Sequence, residues 1–363
     1  MRSPPPRKTT MPPTGISLTE TPAAETIDVE YLGHPRAIAS CLLENDGQLA
    51  LVDPGPSISL PTLRQKLQQR GITIADLRAI FLTHIHLDHA GATGTLVREN
   101  PRLCVYVHEL GARHMKDPSK LLASAGRLYN PGMDQKFGEF LPVPAENITA
   151  LKGGEEIALG SRRFEVLYTP GHASHHVTYF ESAAGHAFAG DTAGIRIEGI
   201  SFVVPVAPPP DIDIPAWRRS MDLILSRHPA RLFLTHFGWS ENPAEHFEEL
   251  RDRLETWAAQ VREMMALPVG PTPDVGAHAP VGAGLADDAR RMGEFSSWAA
   301  SEIHSRMERE HAEHYVTAAG LDLSWLGLTR YWRTRPALPS DSTPSPSTSP
   351  AAASPLRSTK FSA

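Results

Sequence analysis

Four side chains able to coordinate a cation fall within six positions: His84, His86, Asp88 and His89, in Thr83-His84-Ile85-His86-Leu87-Asp88-His89. Three more follow at a distance: His172 in Thr169-Pro170-Gly171-His172, Asp191 in Ala189-Gly190-Asp191, and His236 in Leu234-Thr235-His236. Each group comes just after a short apolar run: Ala79-Ile80-Phe81-Leu82, then Phe164 to Tyr168, His186 to Ala189, and Arg231 to Leu234. Runs of this length, rich in β-formers and ended by Gly, Pro or polar residues, read as buried strands. The fold is therefore expected to bring four strand ends to one rim, with the ligands in the loops just beyond. Seventeen histidines make an isolated His-x-His uninformative. The dense His-x-His-x-Asp-His set is different, because burying four such groups without metal is costly.

Five imidazoles and two carboxylates suit two adjacent divalent ions. Such a pair can generate hydroxide at neutral pH and polarise the bond under attack. The mixed nitrogen and oxygen set suits two Zn2+ best, with iron or manganese as alternatives.

With Asp53 in Leu51-Val52-Asp53-Pro54-Gly55 as an early aspartate, the ordered motifs resemble the metallo-β-lactamase fold superfamily from about Ile27 to His236. The resemblance implies an α/β fold, an αββα four-layer sandwich with the metals at one edge between the sheets. It also implies a division of ligands: His84, His86 and His172 on one metal, Asp88, His89 and His236 on the other, and Asp191 bridging. Gly171-His172-Ala173-Ser174-His175-His176 resembles the Gly-His-x-x-Gly-His segment of glyoxalase-II-like and lactonase-like members, with His175 in place of the second Gly. The expected chemistry is that of a binuclear hydrolase using a metal-bridging hydroxide. Asp88 is the candidate proton shuttle. His176 is a candidate catalytic or ligand-supporting residue, and Asp53 a ligand support.

The ends of the chain are not core. Residues 1–26 and 337–363 are dominated by Pro, Thr, Ser and Ala and read as disordered tails. Between them the sequence predicts a metallo-β-lactamase-like domain over 27–266, a Gly/Pro/Ala-rich linker over 267–284, and a helical segment over 285–336 packed on the core. That last layer is also a candidate substrate wall or homodimer contact. No apolar stretch follows Arg2, Arg7 and Lys8, and no run reaches the length of a membrane span, so a cytoplasmic location is expected. Cys41 and Cys104 lie in predicted strands and read as core thiols.

Ile38 to Leu43 and Leu49 to Val52 read as a hairpin around Asp46-Gly47. Leu60 to Arg70 reads as a helix stopped by Gly71, and Gly91 to Glu99 as a short helix beside the metals. Residues 109–140 break the strand pattern and make the best lid candidate. Its segment Leu121 to Tyr129 reads as helical and offers Arg127 and Tyr129 to a substrate. Val203 to Asp211, with three successive prolines, is expected to stand as a stiff wall near the site. Ile214 to Arg227 reads as a helix. Phe247, Leu250, Leu254, Trp257, Val261 and Met264 recur on one helical face, and Met292, Phe295, Ala299, Ile303 and Met307 on another.

A formal charge of −6 and the lack of a basic stripe weigh against nucleic acid as partner. A small-molecule thioester, ester or lactone is favoured, as in a hydroxyacylglutathione-hydrolase-like thioesterase, because a thiolate leaves without a strong acid. A phosphodiesterase or ribonuclease of the same fold is the alternative, its alkoxide served by His175 or His176. A mononuclear-iron oxygenase is a further alternative.

Overall fold

The computed structural model describes residues 24–197, 200–266 and 283–335, the side chains of 283–286 excepted. One six-stranded sheet runs in chain order through β1 (Ala24–Asp28), β2 (Ala39–Asn45), β3 (Gln48–Val52), β4 (Leu77–Phe81), β5 (Cys104–His108) and β6 (Ile148–Leu151). Its first two pairings are antiparallel and the rest parallel. A second six-stranded sheet follows: β7 (Glu156–Leu159), β8 (Arg162–Tyr168), β9 (Val177–Glu181), β10 (His186–Phe188), β11 (Arg231–Leu234) and β12 (Gly238–Ser240). There only β10 and β11 run parallel.

Six helices accompany the first sheet: α1 (Leu60–Gln68), α2 (Leu87–Ala90), α3 (Thr93–Glu99), α4 (Glu109–Lys116), α5 (Ser119–Tyr129) and α6 (Met133–Phe137). Five accompany the second: α7 (Ile214–Leu225), α8 (Pro243–Ala266), α9 (Ala283–His304), α10 (Arg309–Ala319) and α11 (Leu321–Thr334).

The two-residue period of the strands sorts side chains into layers. On β4, Ala79 and Phe81 enter the core between the sheets, while Ile80 packs outward under α1 and α3. On β8, Phe164 and Val166 face that same inner core, and Leu167 faces α7 and α8. On β11, Phe233 points in, and Leu232 and Leu234 point out. This produces the αββα sandwich, with α9 to α11 added to its outer layer.

The hairpin turns at Asp46 and Gly47, both at positive φ, which suits the twist of a two-residue loop. Asp213 caps α7 by accepting from the Ala216 N–H at 3.0 Å, with Pro215 in the first turn. The predicted faces of α8 and α9 are the buried ones, although Met307 lies beyond the end of α9.

Some expectations need correction. Residues 24–26 are not tail: they pair with β2 along β1, where Ile27 is buried. Asp88 and His89 do not sit in a loop, but on the single turn of α2. α10 had no counterpart in the sequence reading. Residues 1–23, the linker through 282 and residues 336–363 lie outside the described residues, and α9 already begins at Ala283. Cys41 is a buried core thiol, whereas Cys104 is half-buried against the Thr149 hydroxyl. Among the described residues no helix is long and apolar enough to cross a membrane.

Candidate metal centre

All seven predicted ligands converge at one edge of the sandwich, in two groups. His84, His86, His172 and Asp191 form one, and Asp88, His89 and His236 the other. His84 and His86 follow β4, Asp88 and His89 ride on α2, Asp191 sits in the tight turn Gly190–Ala193 after β10, and His236 follows β11. Asp191 spans the groups. Its Oδ1 lies 3.1 Å from His89 Nε2 and 3.6 Å from His236 Nε2, and its Oδ2 lies 3.4 Å from His172 Nε2 and 3.9 Å from His84 Nε2.

The imidazoles are aimed from behind. His89 donates from Nδ1 to Asp53 at 2.9 Å, His172 to the Val206 carbonyl at 2.7 Å, and His236 to the Ala37 carbonyl at 2.9 Å. The Thr83 hydroxyl donates to Asp53 at 2.6 Å and takes the Nδ1–H of His84 at 3.1 Å. These four bonds leave each Nε2 lone pair facing the cluster, which is how a protein orients metal-binding histidines. His86 uses the other nitrogen: its Nδ1 lies 2.9 Å from His172 Nε2.

The donor set fits cations. His84 Nε2 is buried with no hydrogen-bond partner among the described residues, and the buried His89 Nε2 and Asp191 Oδ1 face each other at 3.1 Å without a well-directed hydrogen bond between them. Buried polar atoms are rarely left so. Burial, then neighbouring histidines, holds His84 well below its ordinary range, and burial and His172 hold His86 down at about 4. Burial opposes charge on Asp88, but His89 and His236 outweigh it and hold the carboxyl at about 2. Burial likewise opposes charge on His89, and Asp191, Asp88 and Asp53 override it, so His89 is raised. Three carboxylates against one ring call for positive charge at this spot.

A cavity of about 480 Å³ opens onto the cluster, reaching His86, Asp88 and Asp191. Its walls include Leu121, Leu128 and Tyr129 from the predicted lid, Pro208 to Pro210 from the stiff loop, and Ala319 and Leu323 from the C-terminal layer. That layer is therefore a wall of the cavity. Ser324 fixes it there by accepting from the Ala207 N–H at 3.3 Å. Tyr129 faces the cavity with its ring edge-on to Phe137, and its hydroxyl has no hydrogen-bond partner among the described residues. Burial first, then Asp88, pushes that hydroxyl up. Arg127 lies at the exposed rim.

His176 is fully buried, stacks on His84 at 5.0 Å and is held by the Thr169 and Thr192 hydroxyls at 3.0 and 3.2 Å. It does not line the cavity, so it stands behind a ligand and out of reach of a substrate. His175 does line the cavity, while His108 stacks on Tyr168 at 4.5 Å and does not.

Sequence reasoning missed the supports. Thr83 and Thr235 both bond to Asp53, and the repeated Thr-His doublet was the available signal. Trp217 had none. It lies edge-on to His172 at 5.7 Å and donates from Nε1 to the Thr192 carbonyl at 2.8 Å. Its backbone fits only against a glycine: a Cβ on Gly171, whose φ is 145°, would lie 2.3 Å from the Trp217 Cα. Gly171→Ala is expected to cost roughly 3 kcal/mol by overpacking and backbone strain. A denaturation midpoint unchanged from wild type would refute this packing account.

The sandwich and its histidine–aspartate edge define a protein of the metallo-beta-lactamase fold with a candidate metal centre. The chain belongs to the metallo-beta-lactamase superfamily, whose family profile matches residues 34–236. It is 30% identical over 147 residues to a hydroxyacylglutathione hydrolase of Legionella pneumophila (strain Lens), a match covering 40% of this chain and 43% of the relative. The chain thus spans less than half the length of that relative. A metallo-beta-lactamase family protein from Thermus thermophilus superposes with a TM-score of 0.57 at 22% identity, over 82% of this chain and 88% of the other. An archaeal superfamily protein from Sulfolobus tokodaii gives 0.51 at 23% identity, over 74% and 96%. At these identities the structural likeness is one of fold.

Proposed function

We propose that this chain hydrolyses acyl thioesters, esters or lactones with two divalent metal ions, zinc being the best match to the donors. His84, His86 and His172 would hold one, and Asp88, His89 and His236 the other, with Asp191 between them. The observation that carries this reading is the Asp191 carboxylate, whose two oxygens face different histidine groups. When bound, such a pair lowers the pKa of water from about 15.7 to about 7 and polarises the carbonyl.

The chain's own residues do the rest. Water adds to the acyl carbonyl, the C–S or C–O bond breaks, the acid keeps the water's oxygen, and the thiol or alcohol leaves with a proton. Asp88, which borders the cavity, takes that proton at a carboxylate oxygen and returns it to the leaving atom. Tyr129 and Arg127 contact the substrate from the lid. His176 and Asp53 keep His84 and His89 in line.

Dialysed protein is expected to hold about two equivalents of divalent metal. In a panel assay, acyl thioesters and lactones should be cleaved faster than bis-nitrophenyl phosphate. Faster phosphodiester cleavage than cleavage of any ester or thioester would overturn the substrate class. Oxygen uptake without hydrolysis would overturn the reaction.

A further inference from the structure

We propose that Arg113, Lys120 and Arg127 form an anion subsite over the cavity mouth, and that the substrate is an ester or thioester carrying a carboxylate or phosphate several atoms from the scissile carbonyl. The inference rests on the hydrolase reading above and narrows it.

Lys120, Ser124 and Arg127 stand at i, i+4 and i+7 of α5, which is one stripe of a helix. Leu121, Ala125 and Leu128 form the adjacent stripe, and all six line the cavity. The cationic ends of the polar stripe are about 10 Å apart along the helix. Arg113 joins them from α4. The route inward from the cations to Asp88 and Asp191 is thus apolar on its lid side.

None of the three cations makes an ion pair or hydrogen bond with a carboxylate among the described residues, and the one carboxylate acting on Lys120 from nearby is the exposed Asp117. Arg113 donates only to its neighbour His114, at 3.3 Å. Many other guanidiniums on this acidic chain are paired, Arg64 with Glu99, Arg227 with Glu165, Arg251 with Asp222 and Arg333 with Asp288, although Arg78, Arg219 and Arg306 have no carboxylate partner among the described residues. Besides Asp88 and Asp191, the carboxylate lining the cavity is Asp211, and its Oδ2 is taken by the Ser174 hydroxyl at 2.5 Å and N–H at 3.4 Å. Burial, and then Arg113 and Lys120, holds the intervening His114 below its ordinary range, as convergent positive charge should. Unpaired cations around an opening raise the local concentration of anions and bind them on arrival.

The test compares four thioesters on metal-loaded protein. S-acetyl-N-acetylcysteamine is neutral. S-succinyl-N-acetylcysteamine carries its acid on the acyl side. S-acetylmercaptosuccinate and S-acetylphosphopantetheine carry carboxylates or phosphate on the leaving group. At least one acidic compound should exceed the neutral one about tenfold in kcat/KM, since exposed pairs contribute a factor of about two to five each. The gain should lie in KM and shrink as salt rises. In the triple variant Arg113→Gln, Lys120→Gln, Arg127→Gln, the ratio of acidic to neutral should approach one. The arm that wins distinguishes carboxylate from phosphate. A wild type that cleaves neutral and acidic thioesters alike, or a variant that keeps the preference, overturns the subsite. If no thioester is cleaved, the thioester arm of that reading fails, and the subsite is judged by calorimetric titration with 4′-phosphopantothenate and succinate. Binding lost in the triple variant supports it, and equal behaviour of the two proteins overturns it.

Discussion

Asp191→Ala is expected to reduce metal content from about two equivalents to one or fewer and to lower turnover by at least a hundred- to thousandfold. The scale is that of losing one electrostatic group aimed at the reacting centre, and Asp191 serves both halves of the cluster. Elemental analysis of dialysed protein and steady-state rates measure the two effects. Melting curves separate this from simple misfolding. Asp191 is a desolvated carboxylate in a turn, and the packed layers of the sandwich do not depend on its side chain. The chelator-treated variant should therefore melt near the chelator-treated wild type. Metal should then raise the wild-type melting temperature and raise that of the variant less, because ligand stabilises only through the sites it occupies. A variant with two equivalents, full turnover and a normal metal-induced shift would refute the bridging role.

The sequence made the ligands legible because their chemistry is local. His84 to His89 is a single run, and each remaining ligand trails a strand-like segment. Longer elements were legible for the same reason: α8 buries Phe247, Leu250, Leu254, Trp257 and Val261 on one stripe. The omissions share a cause as well. α2 has four residues, too few to show a period. α10 buries only Ala312, Tyr315 and Ala319, so its hydrophobic signal is weak. β1 is an edge strand whose assignment depends on pairing with β2, and its first residues look like the tail before them. At the cavity mouth the sequence offered the lid and wall segments but not which of their side chains meet. Arg113, Arg127, Pro209 and Leu323 come from four elements, and no sequence interval states that they meet.

The supports of the metal centre are long-range in the same sense, and Asp53 shows what they do. It is fully buried and ties both sheets together at the site. Its Oδ1 accepts from the Thr83 N–H at 2.8 Å. Its Oδ2 accepts from the hydroxyls of Thr83 and Thr235 at 2.6 and 2.8 Å and from His89 Nδ1 at 2.9 Å. Asp53→Asn keeps the size of the side chain but puts an amide N–H₂ where Oδ2 must accept. The threonine hydroxyls can rotate to compensate. His89 can answer only by changing tautomer, with Nδ1 as acceptor and the proton on Nε2. Its lone pair then points away from the cluster, and an N–H faces the metal. The expected result is a loss of about 10- to 100-fold in affinity for the metal held by His89, as when an oriented histidine loses its backing group. Competition with a chromogenic chelator reads this affinity, and nitrogen-resolved NMR of the His89 ring reads the tautomer. Asp53→Asn with wild-type affinity and the proton still on Nδ1 would show that the carboxylate clamps the sheets without steering the ligand.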